Sequence, residues 1–155
     1  MNTAQDFMIR DVISIDPNAS IRELLLLFAK RNVSGVIVTS KDGKLKGMVT
    51  VGDVFRHLQP QVNHSIDAIT FMTFYTAQNS LPERVQVMLE EPVTKIMTSR
   101  QLIFTTVDAP LEEIIEVFAG RRFKKLPVVN TENKVIGVIS RGDLLRFIVM
   151  EMLTQ

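Results

Sequence analysis

Apolar and polar positions change period along this 155-residue chain in a fixed order, and the order occurs twice. Ile13-Ser14-Ile15 reads as a short extended stretch stopped by Asp16-Pro17-Asn18. Ser20-Ile21-Arg22-Glu23 has the spacing of a capping box, which opens a predicted helix whose Leu24, Leu25, Phe28 and Ala29 share one face. After Arg31-Asn32 the period falls to two. Val36-Ile37-Val38 is a predicted strand, Lys41-Asp42-Gly43-Lys44 a turn, and Leu45 to Thr50 a second strand, with another helix from about Asp53. The order returns with Ile103-Phe104-Thr105, a helix from Pro110 to about Gly120, Pro127-Val128-Val129, the turn Thr131-Glu132-Asn133-Lys134, Val135 to Ser140, and a final helix. Each unit is predicted to be β-α-β-β-α.

The two units are also related residue by residue. Gly47-Met48-Val49-Thr50-Val51-Gly52-Asp53-Val54-Phe55-Arg56 returns ninety positions later as Gly137-Val138-Ile139-Ser140-Arg141-Gly142-Asp143-Leu144-Leu145-Arg146. The offset holds without a gap from Ile21–Leu58 to Leu111–Ile148, with Glu23 on Glu113, Phe28 on Phe118 and Lys44 on Lys134. Two copies of one unit that cannot bury its apolar face alone are expected to pack on each other, with function in the grooves between them. The fold class is therefore α/β (α+β), with tandem repeats at 1–58 and 93–155 and a connector at 59–92. The connector carries Ile66, Ile69, Phe71, Met72, Phe74 and Tyr75, and Pro82 to Glu91 reads as a short helix. Its apolar patch is expected to pack on the core, with a lid or dimer contact as the alternative.

Composition removes several classes of function. Eighteen basic and seventeen acidic side chains leave a formal charge of +1, so no global field recruits nucleic acid or an anionic membrane. There is no cysteine, which excludes disulfides and thiolate catalysis and fits a reducing, cytoplasmic setting. No apolar run approaches a membrane span, and the first residues lack the basic and apolar regions of a signal peptide. His57 and His64 are the only histidines, and neither has an acidic partner at a telling spacing. No phosphate loop of the Walker type, metal-ligand cluster or nucleophile motif is present. The chain is expected not to be an enzyme.

Two repeats that each end a strand in Gly-apolar-apolar-Ser/Thr-x-x-Asp resemble a cystathionine beta-synthase (CBS) domain pair, or Bateman module, from about Asp6 to Phe147. Lys95-Ile96-Met97-Thr98, similar to the family's helical lead-in, and Lys124-Lys125-Leu126-Pro127-Val128-Val129, similar to its basic strand, add to the resemblance. The chain length leaves no room for an attached catalytic or transport domain, so a stand-alone pair is expected. The resemblance implies a pseudo-two-fold arrangement and regulation by an adenosine-containing ligand such as AMP, ADP, ATP or an S-adenosyl compound, bound between the repeats. A CBS-type interaction module without ligand is the alternative. No prosthetic group or nucleic acid is expected.

Thr50 with Asp53 and Ser140 with Asp143 admit two readings. A hydroxyl followed three positions on by a carboxylate is what a helix N-terminus requires as a cap. The same carboxylate can also accept from the two hydroxyls of a ribose, with phosphate near the hydroxyl and the helix N–H groups. Gly52 and Gly142 let a ligand approach the backbone. In CBS pairs the matching Asp binds ribose and the matching Ser or Thr faces the sugar-phosphate, which the resemblance carries onto these four positions.

Arg121 and Arg122 suit the end of a helix. Lys124 and Lys125 begin the strand that borders the nucleotide in the family, where the first copy has Ser34 and Gly35, so the clefts are expected to differ in phosphate recognition. Arg141 adds charge where the first motif has Val51. Which cleft each cation faces stays open. By family position, Ser14, Phe104, Thr105, Met48 and Val138 are expected to wall the adenine. The last helix carries Leu144, Leu145, Phe147, Ile148, Val149, Met150, Met152 and Leu153 on nearly all sides, more than one core needs. A homodimer is expected through the second helices of the repeats, with Ile148 and Met152 in the contact, against a terminal helix buried on the connector's own patch.

Overall fold

The computed structural model describes residues 2–59, 80–120 and 124–154. The first repeat runs β1 (Ser14–Ile15), α1 (Ile21–Arg31), β2 (Gly35–Thr39), β3 (Leu45–Thr50) and α2 (Val51–Leu58). Helix α3 (Leu81–Leu89) follows, and the second repeat runs β4 (Thr105–Thr106), α4 (Leu111–Gly120), β5 (Lys125–Val129), β6 (Val135–Ser140) and α5 (Arg141–Leu153). Each repeat forms one three-stranded sheet, β1-β2-β3 or β4-β5-β6, whose first pair is parallel and second antiparallel. The α/β class and the repeat order agree with the sequence pattern. Ile66 to Tyr75, His64, and Arg121 and Arg122 lie outside the described residues.

Local chemistry sets the helix ends. Ser20 Oγ accepts from Glu23 N at 3.1 Å to start α1, and Asn32 stops it in the left-handed region at φ 52°. The inward stripe of α1 is Ile21, Leu24 and Phe28, with Leu25 partly covered. Ala29 is exposed, one position beyond that stripe, so it does not share the buried face expected of it.

A larger departure concerns the segments before each repeat, because they are exchanged. Ala4, Phe7 and Met8 are buried among Ala109, Ile114, Phe118, Leu126 and Ile139 of the second repeat. Conversely, Val93 is buried among Ile21, Leu24, Val36 and Val49 of the first. Backbone pairs secure both: Ala4 N donates to Ala109 O at 3.0 Å and Ile9 N to Val138 O at 2.9 Å. Val93 N donates to Ala19 O at 2.8 Å and Thr98 N to Met48 O at 2.8 Å. Neither repeat therefore closes its core without chain from the other side of the molecule.

Glycine permits this close approach. A Cβ on Gly47 would stand 2.7 Å from the Thr98 carbonyl, and one on Gly137 would stand 2.5 Å from Met8 Sδ. The two hairpins also meet tip to tip, with Leu45 N donating to Asn133 O at 3.1 Å and Val135 N to Gly43 O at 2.9 Å. Ile37, Leu45 and Val129 are buried between the sheets, together with Val12, Leu102, Val135 and Val138. Lys44 and Lys134, equivalent by the ninety-residue offset, pair with each other, which locates the pseudo-two-fold axis.

Candidate functional site

Two cavities flank that axis. The first encloses about 540 Å³, in the range of roughly 300–1,000 Å³ that holds small-molecule ligands. The first repeat contributes Met48, Thr50, Gly52, Asp53 and Arg56 to its wall, and the second half of the chain contributes Thr98, Gln101, Leu102, Ile103, Lys124 and Lys125. The mouth is built where β3 passes into α2. Thr50 Oγ1 accepts from Asp53 N at 3.3 Å, and Asp53 Oδ2 accepts from Thr50 N at 2.8 Å, which closes a full capping box. The other carboxylate oxygen, Oδ1, takes Arg56 Nη2 at 2.6 Å. That guanidinium is mostly exposed, so solvent screens the pair and a ligand can displace it.

Opposite this carboxylate stand the lysines. Lys124 is exposed at the wall, and Lys125 is half-buried, its Nζ donating to the Gly35 carbonyl at 3.1 Å. Burial pushes the Lys125 amine below the usual lysine range, and the charge of Asp143 partly opposes the shift. Polar groups from both repeats thus converge on a space with apolar Met48, Leu102 and Ile103 in its wall, the arrangement suited to an apolar ring joined to a hydroxylated, anionic tail.

The second cavity, about 240 Å³, is lined by Ile9, Asp11, Ile13, Ile37, Lys125, Val138, Ser140 and Asp143. Ser140 and Asp143 repeat the capping box: Asp143 N donates to Ser140 Oγ at 3.1 Å, Ser140 Oγ to Asp143 Oδ2 at 2.7 Å, and Arg146 Nη1 to Asp143 Oδ1 at 3.2 Å. Lys125 is common to both cavities.

Of the residues singled out in the sequence, Met48, Thr50, Asp53, Lys124 and Lys125 thus gather at the first cavity, and Val138, Ser140, Asp143 and again Lys125 at the second. Ser14, Thr105 and Arg141 line neither. Ser14 and Thr105 lie on the sheet-edge strands, while Ile13 and Ile103, just before those strands, line the cavities; for Ile13, one position from Ser14, the alternation of faces along an extended chain accounts for the difference. Arg141 turns to α4, where Nη2 donates to Phe118 O at 3.0 Å and the guanidinium lies 5.7 Å from the Phe118 ring centroid.

Residues that the sequence reading missed are Arg56, Thr98, Gln101, Leu102 and Ile103 in the first cavity and Ile9, Asp11, Ile13 and Ile37 in the second. All but Arg56 and Ile37 belong to the segments before the repeats, whose exchange no motif announces. His57 also has an acidic partner, Glu91 Oε1 at 3.0 Å, which ties α2 to the segment after α3. The two are distant in sequence, so spacing could not reveal the pair. Among the described residues no group of three or more His, Cys, Asp and Glu could hold a metal, and no helix is long and apolar enough to cross a membrane.

A family model for the CBS domain matches residues 4–60 and 93–150, and the chain belongs to that family as a domain pair. It is 27% identical over 156 residues to the uncharacterized protein MJ1426 of Methanocaldococcus jannaschii, covering 94% of this chain and 90% of that protein. It is also 27% identical over 139 residues to the inosine-5'-monophosphate dehydrogenase of Aquifex aeolicus, covering 90% of this chain but 23% of the enzyme. Among solved structures, the chain superposes on CBSX2 from Arabidopsis thaliana in complex with AMP with a TM-score of 0.71, at 22% identity, over 96% of this chain and 97% of that one. The CBS domain pair of MJ0100, in complex with 5'-methylthioadenosine and S-adenosyl-L-methionine, gives 0.68 at 20% identity over 97% and 98%. These likenesses establish a shared fold.

Proposed function

We infer that the chain is a regulatory module whose first cleft binds an adenosine-containing nucleotide and whose occupancy is relayed through a homodimer or a regulated partner protein. The observation that carries this reading is the convergence of Asp53 from one repeat and Lys124 and Lys125 from the other on a single cavity. Asp53 Oδ1 is the ribose acceptor once Arg56 swings away, the lysines and Arg56 meet phosphate, and Met48, Leu102 and Ile103 take the ring. The AMP bound by CBSX2 and the adenosine compounds bound by MJ0100 support the ligand class. Binding requires no bond making, and the module is not itself an enzyme. The lack of cysteine fits a cytoplasmic location.

A ligand-free interaction module is the second reading, favoured by capping boxes that are complete without any ligand. Thermal melting with AMP, ADP, ATP and S-adenosylmethionine separates the two. A ligand at one hundred times its Kd adds about 2.7 kcal/mol, and each kcal/mol moves the midpoint of a domain this size by roughly 2–4 °C. No shift with any of the four removes the nucleotide reading and leaves the interaction module.

A further inference from the structure

The two clefts occupy equivalent places but differ in size and in charge. In the first, Arg56 balances Asp53, and Lys124 and Lys125 form no ion pair among the described residues, although the Asp143 charge acts on Lys125 from the second cleft. In the second, Arg146 balances Asp143 in the same way, but Ser34 and Gly35 stand at the positions equivalent to the two lysines and do not line it. Its only lysine is the shared Lys125, whose amine is turned to the Gly35 carbonyl. Asp11, on the loop directly before Val12, also lines this cleft, where the first cleft has the neutral Gln101 directly before Leu102. Among the described residues no cation pairs with Asp11. The exchanged chain thus brings the carboxylate of Asp11 into the second cleft beside the shared Lys125, while the first cleft has Lys124 in addition to that shared lysine and no such carboxylate.

We propose that the second cleft is a distinct site for a phosphate-free adenosine compound, uncharged or cationic at its 5' position, and that Asp11 excludes phosphate from it. Resting on the adenosine reading above, this assigns different ligand classes to the two clefts. Size agrees with charge. The second cavity, about 240 Å³ against 540 Å³, lies just under the range that holds small-molecule ligands, so it has less room for a phosphate chain beyond a nucleoside than the first. A phosphate in this cavity would meet the Asp11 carboxylate as a like charge at its wall, and the two repel at short range even where solvent screens them.

Calorimetry on the full chain tests this, with AMP and adenosine as probes. The expected result is one AMP per chain, and one further adenosine that binds even when AMP saturates the first site. Asp143→Ala should abolish that adenosine site and leave the AMP site. Asp11→Lys, at an exposed position, should create a second AMP site, tightening AMP there by roughly tenfold or more, with Asp11→Asn intermediate. Two equal AMP sites in the unaltered chain, or an Asp11→Lys variant that gains none, would overturn the assignment while the nucleotide reading stands. Failure of both AMP and adenosine to bind would overturn both.

Discussion

Asp53 and Lys125 each serve the fold and the proposed ligand at once, and the two demands can be separated. Asp53→Ala removes the acceptor of the Thr50 N–H as well as the ribose contact, so the unliganded protein should lose about 0.5–2 kcal/mol and its response to AMP should vanish. Chemical denaturation with and without AMP measures both. A cap lost with the AMP shift intact would leave Asp53 purely structural. Lys125 should show the opposite stability change. Burial lowers its pKa in the folded chain, so the unfolded chain holds the proton more tightly and the charged form is disfavoured by folding below that pKa. Stability tied to this group is present above the ordinary lysine range and is lost as pH falls through the lowered value. Lys125→Met should therefore raise the melting temperature at neutral pH, by an amount that fades as pH rises toward that range, while weakening AMP binding. Equal melting at neutral pH and near the ordinary lysine range would show that the bond to Gly35 O offsets the burial.

Secondary elements came through clearly in the sequence because their signals are local. The Thr50-to-Asp53 and Ser140-to-Asp143 spacings form the expected boxes, and Gly43 and Asn133 take the left-handed conformations their hairpin turns require, at φ 86° and 64°. The Ser/Thr-Asp pairs and the two lysines of the candidate site were legible for the same reason. What local pattern could not carry was which chain passes beside each motif. The ninety-residue offset slips by one before the repeats, since Ile9 pairs with Val138 where Thr98 pairs with Met48, and the stretch from Thr98 to Leu102 takes up one residue more, with Gln101 at φ 52°. Placing Asp11 in one cavity with Asp143, or Gln101 in the other with Thr50, depends on that exchange and left no periodic trace. The crossing can be tested at its glycines. Gly47→Ala would press on the Thr98 carbonyl, which is fixed by its bond from Met48 N, and should destabilise by about 1–3 kcal/mol. Gly137→Ala meets the flexible Met8 side chain and should be milder. Because Thr98 also lines the first cavity, only Gly47→Ala should weaken AMP binding, and equal effects of the two variants in urea melts and AMP titrations would argue against this packing.

The outer surface of α5 bears on the assembly. Leu144 and Phe147 pack on the protein's own core, and Ile148 packs against it while staying partly exposed. Leu145, Val149 and Met152 form a separate stripe, 63%, 39% and 67% exposed, and Phe55 on α2 stands at the position equivalent to Leu145. With these residues at a homodimer contact, Leu145→Glu with Met152→Glu should give a monomer by light scattering at micromolar concentration, since a lone charge in a desolvated interface is strongly disfavoured. An unaltered chain that is already monomeric would remove the dimer and leave the cleft intact. The central claim is that one cleft, assembled from both halves of the chain, binds an adenosine nucleotide. Its most direct test is calorimetric titration of AMP into the unaltered protein, Asp53→Ala and the Lys124→Ala, Lys125→Ala double variant, each verified as folded. The account expects measurable binding to the first and a loss of roughly tenfold or more in each variant, although the substitutions lie in different repeats. AMP that fails to bind the unaltered chain, or binds all three proteins equally, would contradict it.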